Sequence, residues 1–255
     1  MACLTCLGTS DSFGSAGRHC AGYLLESAAT RILIDAGPGV LTALKAGQID
    51  PATIDGVVLS HLHGDHFGGV PFLLLDAIYD TPRSRPLSIV GPPTTRRRVE
   101  NLFLALYAER EGRALPFPVE WVELEGGAST EIADVAVEAF RVPHIDDGVS
   151  LGHRLRVAGR TLVYTGDTPW TEDLLRAAEG ADLLLCECTT FETVLPKHIR
   201  YAEIETNRHR FDCGAVLLTH LGREMRSRQR DVAETMADDG LRFDLAAPEI
   251  ARPRR

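Results

Sequence analysis

Residues 61 to 66 read HLHGDH, which sets His61, His63, Asp65 and His66 within one short stretch. Imidazole nitrogens and carboxylate oxygens are donors that suit zinc, and also manganese or iron. The string follows Val57 to Ser60, a short apolar β-branched run, and precedes Phe67 to Leu75, which reads as a glycine turn and an apolar helix. A strand ending in a tight loop can aim His61 and His63 at one cation while Asp65 and His66 face another. A two-cation site needs about seven or eight ligand positions, so further donors are expected at other strand ends. Three apolar runs each terminate in one: AFRVPH in His144, TLVYTGD in Asp167 and AVLLTH in His220. Cations held this way activate water and neutralise charge on a phosphoryl or carbonyl oxygen, which is hydrolytic chemistry.

The elements that must position these donors follow from hydrophobic periodicity. CLTCLG, GYLLES, RILIDAG and DGVVLS read as strands, with a helix at GVLTALKAG. After the histidine loop, a helix is expected from about Phe72 to Tyr79, a strand at Leu87 to Gly91, and a helix from about Thr94 to Arg110 behind Pro92 and Pro93. Strands return at VEWVEL, VAVEAFRV, LGHRLRV and TLVYTG. The last third gives helix DLLRAAEG, strand ADLLLCE, helix AEIETNRHRF, strand AVLLTH and a closing helix from about Glu224 to Ala237. Strands in two groups, each followed by helices, predict an α+β fold of two mixed sheets packed face to face with helices outside.

Composition bounds the rest. A chain of 255 residues, 44% hydrophobic, can bury a full core, and no Ser/Gly tract, repeat or low-complexity segment divides it, so one domain over 1–255 is expected. The N-terminus lacks a basic region followed by a long apolar stretch, and no window reaches the apolar length of a membrane span; a cytoplasmic protein with no membrane partner is expected. The six cysteines, Cys3, Cys6, Cys20, Cys186, Cys188 and Cys213, read as reduced thiols in apolar strands, and the Cys3/Cys6 pair has no matching second pair to complete a zinc site. A formal net charge of −9 argues against a broad nucleic-acid surface. Basic residues cluster only locally, at Arg96 to Arg98 and at Arg223, Arg226, Arg228 and Arg230.

With LGTSDSFGSAGR near the start, LIDAG, HLHGDHFGG, the strand-end His144, YTGDT, CECTTF, His198 and LTHLG, the chain resembles the metallo-β-lactamase fold hydrolases, most of all their ribonuclease Z and cyclic phosphodiesterase side. The resemblance spans nearly the whole chain and implies a four-layered αββα sandwich with the site at the edge between the sheets. It implies two divalent metal ions, Zn2+ first and Mn2+ or Fe2+ as alternatives: one held by His61, His63 and His144, the other by Asp65, His66 and His220, with Asp167 bridging. It also implies that His198 donates a proton to the leaving oxygen, that Glu187 orients His198, and that Asp65 doubles as acceptor of a proton from the attacking water. Asp35 is expected to orient a metal-binding imidazole from behind. His19, His153 and His209 lack such context and read as structural or surface residues.

The chain departs from ribonuclease Z in one respect: no long Gly/Pro-rich basic arm of the kind that grips tRNA is seen, and the stretch from Arg110 to Pro118 has Gly and Pro but is short. A small or cyclic phosphodiester is therefore the expected substrate, hydrolysed by a metal-activated hydroxide, with basic residues near His220 or on the Arg96 helix as candidate phosphate contacts. The alternatives are a lactone, ester or thioester hydrolase, in which His198 is dispensable; tRNA 3′ processing, with a partner subunit gripping the RNA; and a metal-stabilised scaffold without turnover. Related enzymes are often homodimers, and the apolar FLLLDAIY helix could serve as interface or core.

Overall fold

The computed structural model describes residues 2–146, 148–246 and 250–251. Its strands are β1 (Cys3–Gly8), β2 (Gly22–Glu26), β3 (Arg31–Ala36), β4 (Gly56–Val58), β5 (Leu87–Gly91), β6 (Val119–Glu123), β7 (Ser129–Ile132), β8 (Val135–Val142), β9 (Ser150–Val157), β10 (Arg160–Tyr164), β11 (Ala181–Glu187), β12 (Cys213–Thr219), β13 (Thr235–Met236), β14 (Arg242–Asp244) and β15 (Ile250–Ala251). Its helices are α1 (Val40–Ala46), α2 (Gly64–Phe67), α3 (Val70–Tyr79), α4 (Thr95–Leu106), α5 (Asp173–Ala178), α6 (Tyr201–Asn207) and α7 (Arg223–Ser227). One sheet runs β15-β14-β1-β2-β3-β4-β5-β6, the other β13-β12-β11-β10-β9-β8-β7.

Both faces of each sheet are covered, so the central strands are apolar on both sides and alternate between two cores. Ile32 and Ile34 of β3 meet Leu183 and Leu185 of β11 between the sheets, while Leu33 turns to the helices of the first layer. Leu184 and Cys186 of β11, with Val216 and Leu218 of β12, turn the other way, toward α5, α6 and α7. The result is the αββα sandwich that the resemblance implied. No helix among the described residues is long and apolar enough to cross a membrane.

Strand direction brings the donors to one edge. β3 to β6 pair in parallel, and so do β10 to β13, so the C-terminal ends of β4, β10, β11 and β12 lie together. β8 is antiparallel to β9, and β9 to β10, so β8 also ends there. Two bonds tie the sheets at that edge: Leu151 N–H donates to the Ser60 carbonyl (2.9 Å), and His153 Nε2 to the Leu59 carbonyl (3.0 Å). Buried His153 is thus structural, as the sequence suggested.

The fold corrects the sequence in places. The closing helix stops at Ser227, and Thr235–Met236 instead joins β12 as a parallel strand, with Ala237 N–H donating to the Leu218 carbonyl at 2.7 Å. A helix through Ala237 would leave that edge of β12 unpaired, and satisfying a buried edge outweighs local helix preference. The helix from Thr94 ends at Leu106 and continues only as a 3-10 turn, Ala108–Arg110. FLLLDAIY belongs mainly to the core, since α3 buries Val70, Leu73, Leu74 and Ala77, though Phe72 and Tyr79 are exposed. β7, β13, β14 and β15 have no counterpart in the sequence reading.

Candidate metal centre

All seven donors proposed from the sequence converge. The Nδ1 atom of His63 lies 3.1 Å from His61 Nε2 and 3.1 Å from His144 Nε2. Asp65 Oδ2 stands 3.3 Å from His66 Nε2 and 3.4 Å from His220 Nε2. Asp167 Oδ2 faces both groups: it is 3.3 Å from His66 Nε2 and from His220 Nε2, 3.9 Å from His61 Nε2 and 3.8 Å from His144 Nε2. Among the described residues no cysteine joins a donor cluster.

Local backbone explains the aim of these side chains. His61 and His63 follow β4, His63 with extended backbone, and Asp65 and His66 sit in α2, a single helical turn within what the sequence reading took for a tight loop. Asp167 is delivered by Gly166 at φ 59°, where a Cβ would stand 2.6 Å from the Leu151 carbonyl oxygen. His220 and Asp35 themselves adopt left-handed backbone, φ 54° and 53°. Such conformations cost about 1–3 kcal/mol each and persist where the surroundings enforce them, commonly at functional sites.

The outer partners fix which imidazole nitrogen points inward. His66 Nδ1 donates to Asp35 Oδ2 (2.7 Å) and His144 Nδ1 to the Lys197 carbonyl (3.0 Å). Ser60 Oγ gives its proton to Asp35 Oδ2 (2.8 Å), so it accepts from His61 Nδ1 (3.1 Å). Thr189 Oγ1 donates to Glu187 Oε2 (2.9 Å) and accepts from His220 Nδ1 (2.9 Å). In all four rings the Nε2 lone pair is left facing the cluster, the arrangement that metal-binding histidines require. Asp35, as expected, stands behind an imidazole, and Tyr164 Oη adds a third donor to it (2.7 Å).

The cluster fits divalent cations. His66 Nε2 and Asp167 Oδ1 are buried with no hydrogen-bond partner among the described residues, and buried polar atoms are otherwise satisfied almost without exception. Two nitrogens each about 2.1 Å from a tetrahedral zinc stand about 3.4 Å apart, close to the spacing of the three-histidine group. Electrostatics agree. Burial holds His61, His63 and His144 below the ordinary imidazole value, so their lone pairs are available. Burial opposes ionisation of Asp65 and Asp167, yet the imidazoles around them keep both carboxyls well below the usual range. Burial likewise opposes charge on His66 and His220, but the Asp167 carboxylate outweighs it, raising His66 well above the usual value and His220 to about 9. This half of the cluster calls for positive charge, which a proton or a dication can supply.

His198 and Glu187 lie against the same cluster. Glu187, fully buried at the end of β11, accepts from Thr168 N–H (2.7 Å), Thr189 Oγ1 (2.9 Å) and His198 Nδ1 (3.0 Å). The His198 ring stacks on His220, centroids 5.4 Å apart and 8° from parallel. Burial disfavours its charged form, but Glu187 and then Asp167 outweigh that and hold it above the ordinary value.

Three contacts escaped the sequence reading. Ser12 Oγ donates to Asp65 Oδ2 at 2.7 Å, Thr189 links Glu187 to His220, and the Glu224 carboxylate accepts from the backbone N–H groups of Phe191, Glu192 and Thr193 (3.1 to 3.3 Å), which anchors the loop before His198. Hydroxyl residues recur everywhere, so only the neighbouring DSF and CTT strings could have drawn attention to the first two. The arginines offered as phosphate contacts are largely engaged: Arg226 bonds Thr9 and the Ala237 carbonyl, Arg228 pairs with Asp231 and lies over the Phe191 ring, and Arg98 lies over Phe67.

Comparison with known proteins places this geometry in context. A family model described as β-lactamase superfamily domain matches residues 30–221. The ribonuclease Z of Mycolicibacterium gilvum is 26% identical over 261 residues, 94% of this chain and 91% of that protein. Human tRNase Z, short form, superposes with a TM-score of 0.78 at 25% identity, covering 95% of this chain and 99% of the other. A diphosphatase from the PhnP family shares the fold, with a TM-score of 0.79 at 17% identity over 96% of this chain and 98% of that one.

Proposed function

The chain belongs to the β-lactamase superfamily, in its ribonuclease Z-like branch, and on that premise we propose that it is a dinuclear metal-dependent phosphodiesterase acting on a small or cyclic phosphodiester. The observation that carries the reading is the His198–Glu187 pair, 3.0 Å apart and set against the donor cluster. An alkoxide leaving from phosphorus needs a proton, and an imidazole held by a buried carboxylate beside the donor cluster is suited to supply it.

His61, His63 and His144 would hold one cation, Asp65, His66 and His220 the other, and Asp167 both. When bound, such ions lower the pKa of water and neutralise charge that builds on the phosphoryl oxygens. Asp65, kept ionised and fixed by Ser12, accepts a hydrogen bond from the attacking water. Glu187 holds Nδ1 of His198, so Nε2 carries the proton toward the leaving oxygen. Burial opposes that proton, but the Glu187 carboxylate and then Asp167 outweigh it and favour the protonated form.

A second reading, 3′ processing of precursor tRNA, draws support from the likeness to ribonuclease Z over 94% of the chain. Against it stand the net charge of −9 and the want of a long Gly/Pro-rich basic stretch in the sequence. The deciding experiment gives the metal-loaded protein bis(p-nitrophenyl) phosphate, a lactone, a thioester and precursor tRNA side by side, with metal analysis of the same preparation. Phosphodiester turnover with close to two ions per chain is expected. Preferential cleavage of the lactone or thioester would overturn the phosphodiesterase reading, and cleavage of precursor tRNA by the isolated chain would establish the second.

A further inference from the structure

The stretch from Arg110 to Pro118 takes no part in the donor cluster. With α4 and β6 it encloses a cavity of about 480 Å³. The walls are apolar: Phe103 and Leu104 of α4, Phe117, and Trp121 of β6. Sites for small organic ligands commonly have this size and this lining. None of the lining residues is a cluster donor, so the cavity stands apart from the metal centre.

The charged groups that line it are unbalanced. Arg96, Arg110 and Arg113 face one carboxylate, Glu100, and Glu100 already pairs with Arg96 at 2.9 Å. A chain of net charge −9 thus sets unanswered positive charge in an apolar pocket. Arg110 is only 8% exposed, and its terminal nitrogens meet neutral oxygens: Nη1 donates to the Tyr79 hydroxyl (3.5 Å) and Nη2 to the Ala114 carbonyl (3.1 Å). Its Nε has no partner among the described residues. Arginine is almost never buried unless paired, and a buried donor left open costs stability. The backbone around it is fixed, with Arg110 N–H on the Tyr107 carbonyl (2.9 Å), Arg113 N–H on the Arg110 carbonyl (3.0 Å) and Gly112 turning the chain at φ 70°.

We propose that this cavity is a second binding site, for a small organic carboxylate whose charge pairs with Arg110 and whose apolar body lies against Phe103, Phe117 and Trp121. The planar guanidinium fork matches a carboxylate. The apolar walls reward a ligand with an apolar body and offer nothing to a bare inorganic anion.

Isothermal titration of the metal-loaded protein with cinnamate, and with cinnamamide as its uncharged counterpart, tests the assignment. Cinnamate should bind once per chain, and the amide at least about tenfold more weakly, as expected on losing hydrogen bonds to a charged group. Arg110→Met should bring cinnamate down to the level of the amide. Leu104→Trp, which fills the cavity and leaves Arg110 in place, should weaken both probes, and it decides alone if Arg110→Met does not fold. Both variants should keep the wild-type metal content. A carboxylate held by the cations would be indifferent to both substitutions, and that result overturns the site. Equal affinity for the two probes, or no binding of cinnamate to the wild type, overturns it as well.

Discussion

In the group formed by His61, His63 and His144, uncharged imidazoles face one another with ring nitrogens 3.1 Å apart; in the group formed by Asp65, His66 and His220, imidazoles interleave with ionised carboxyls at 3.3 to 3.4 Å. Burial dominates the first and lowers its histidines. Carboxylate charge dominates the second and raises His66 and His220. The lesson is that one sandwich edge offers lone pairs at one place and negative charge a few ångströms away, with Asp167 joined to both. A cation entering the first group meets little competition from protons, while one entering the second must displace them.

The largest effect should come from the residue common to both groups. Asp167→Ala is expected to strip metal from both and to lower phosphodiester turnover on the order of a thousandfold or more; metal analysis that finds both ions retained, with activity within tenfold of wild type, would break the idea of a shared bridge. His198→Ala should lower kcat by about a hundredfold while both ions stay bound. A loss of metal in that variant would move His198 into the ligand set. Thr189→Val spares the three-histidine group, since it removes the partner of His220 Nδ1 together with a donor to Glu187; metal affinity in the charged group should weaken about tenfold, with the three-histidine group unchanged in a two-step metal titration.

The smallest effect is on proton linkage in chelator-treated protein. His220 at about 9 lies above the unfolded value of about 6.5, so its proton stabilises the fold fully below pH 6.5, and that contribution is lost as pH rises through about 9. The Tm advantage of wild type over His220→Gln should therefore shrink as pH rises across that window. His61 has the opposite sign: its folded value is lowered, so the unfolded chain binds the proton more readily and wild type loses ground to His61→Gln as pH falls below about 6.5. The same trend for both variants would show that the two groups do not differ in the way described.

Much of this was legible because the donors terminate apolar runs. VVLS, TLVY and AVLLT could only be buried strands, and a histidine or aspartate at each end had to lie on one edge once the strands paired in parallel. Asp35 was read from LIDAG through the family resemblance. The part that was not legible is governed by pairing distant in sequence. Thr235–Met236 looks helical by itself and becomes a strand because β12 offers an unpaired edge, and Arg242–Asp244 is a strand because β1 lies beside it. Ser12 reaches Asp65 across 53 positions of sequence, and a hydroxyl has no spacing that announces such a contact.

The left-handed backbone at His220 sets function against folding. The ring reaches the cluster only because its φ is 54°, a conformation that glycine adopts without strain and histidine does not. The conformation itself works against stability, and His220→Gly should abolish the centre while relieving the backbone. The residue is therefore held in place by what the centre does, and a lineage released from that activity would be expected to lose His220 before it lost the apolar strand that leads to it.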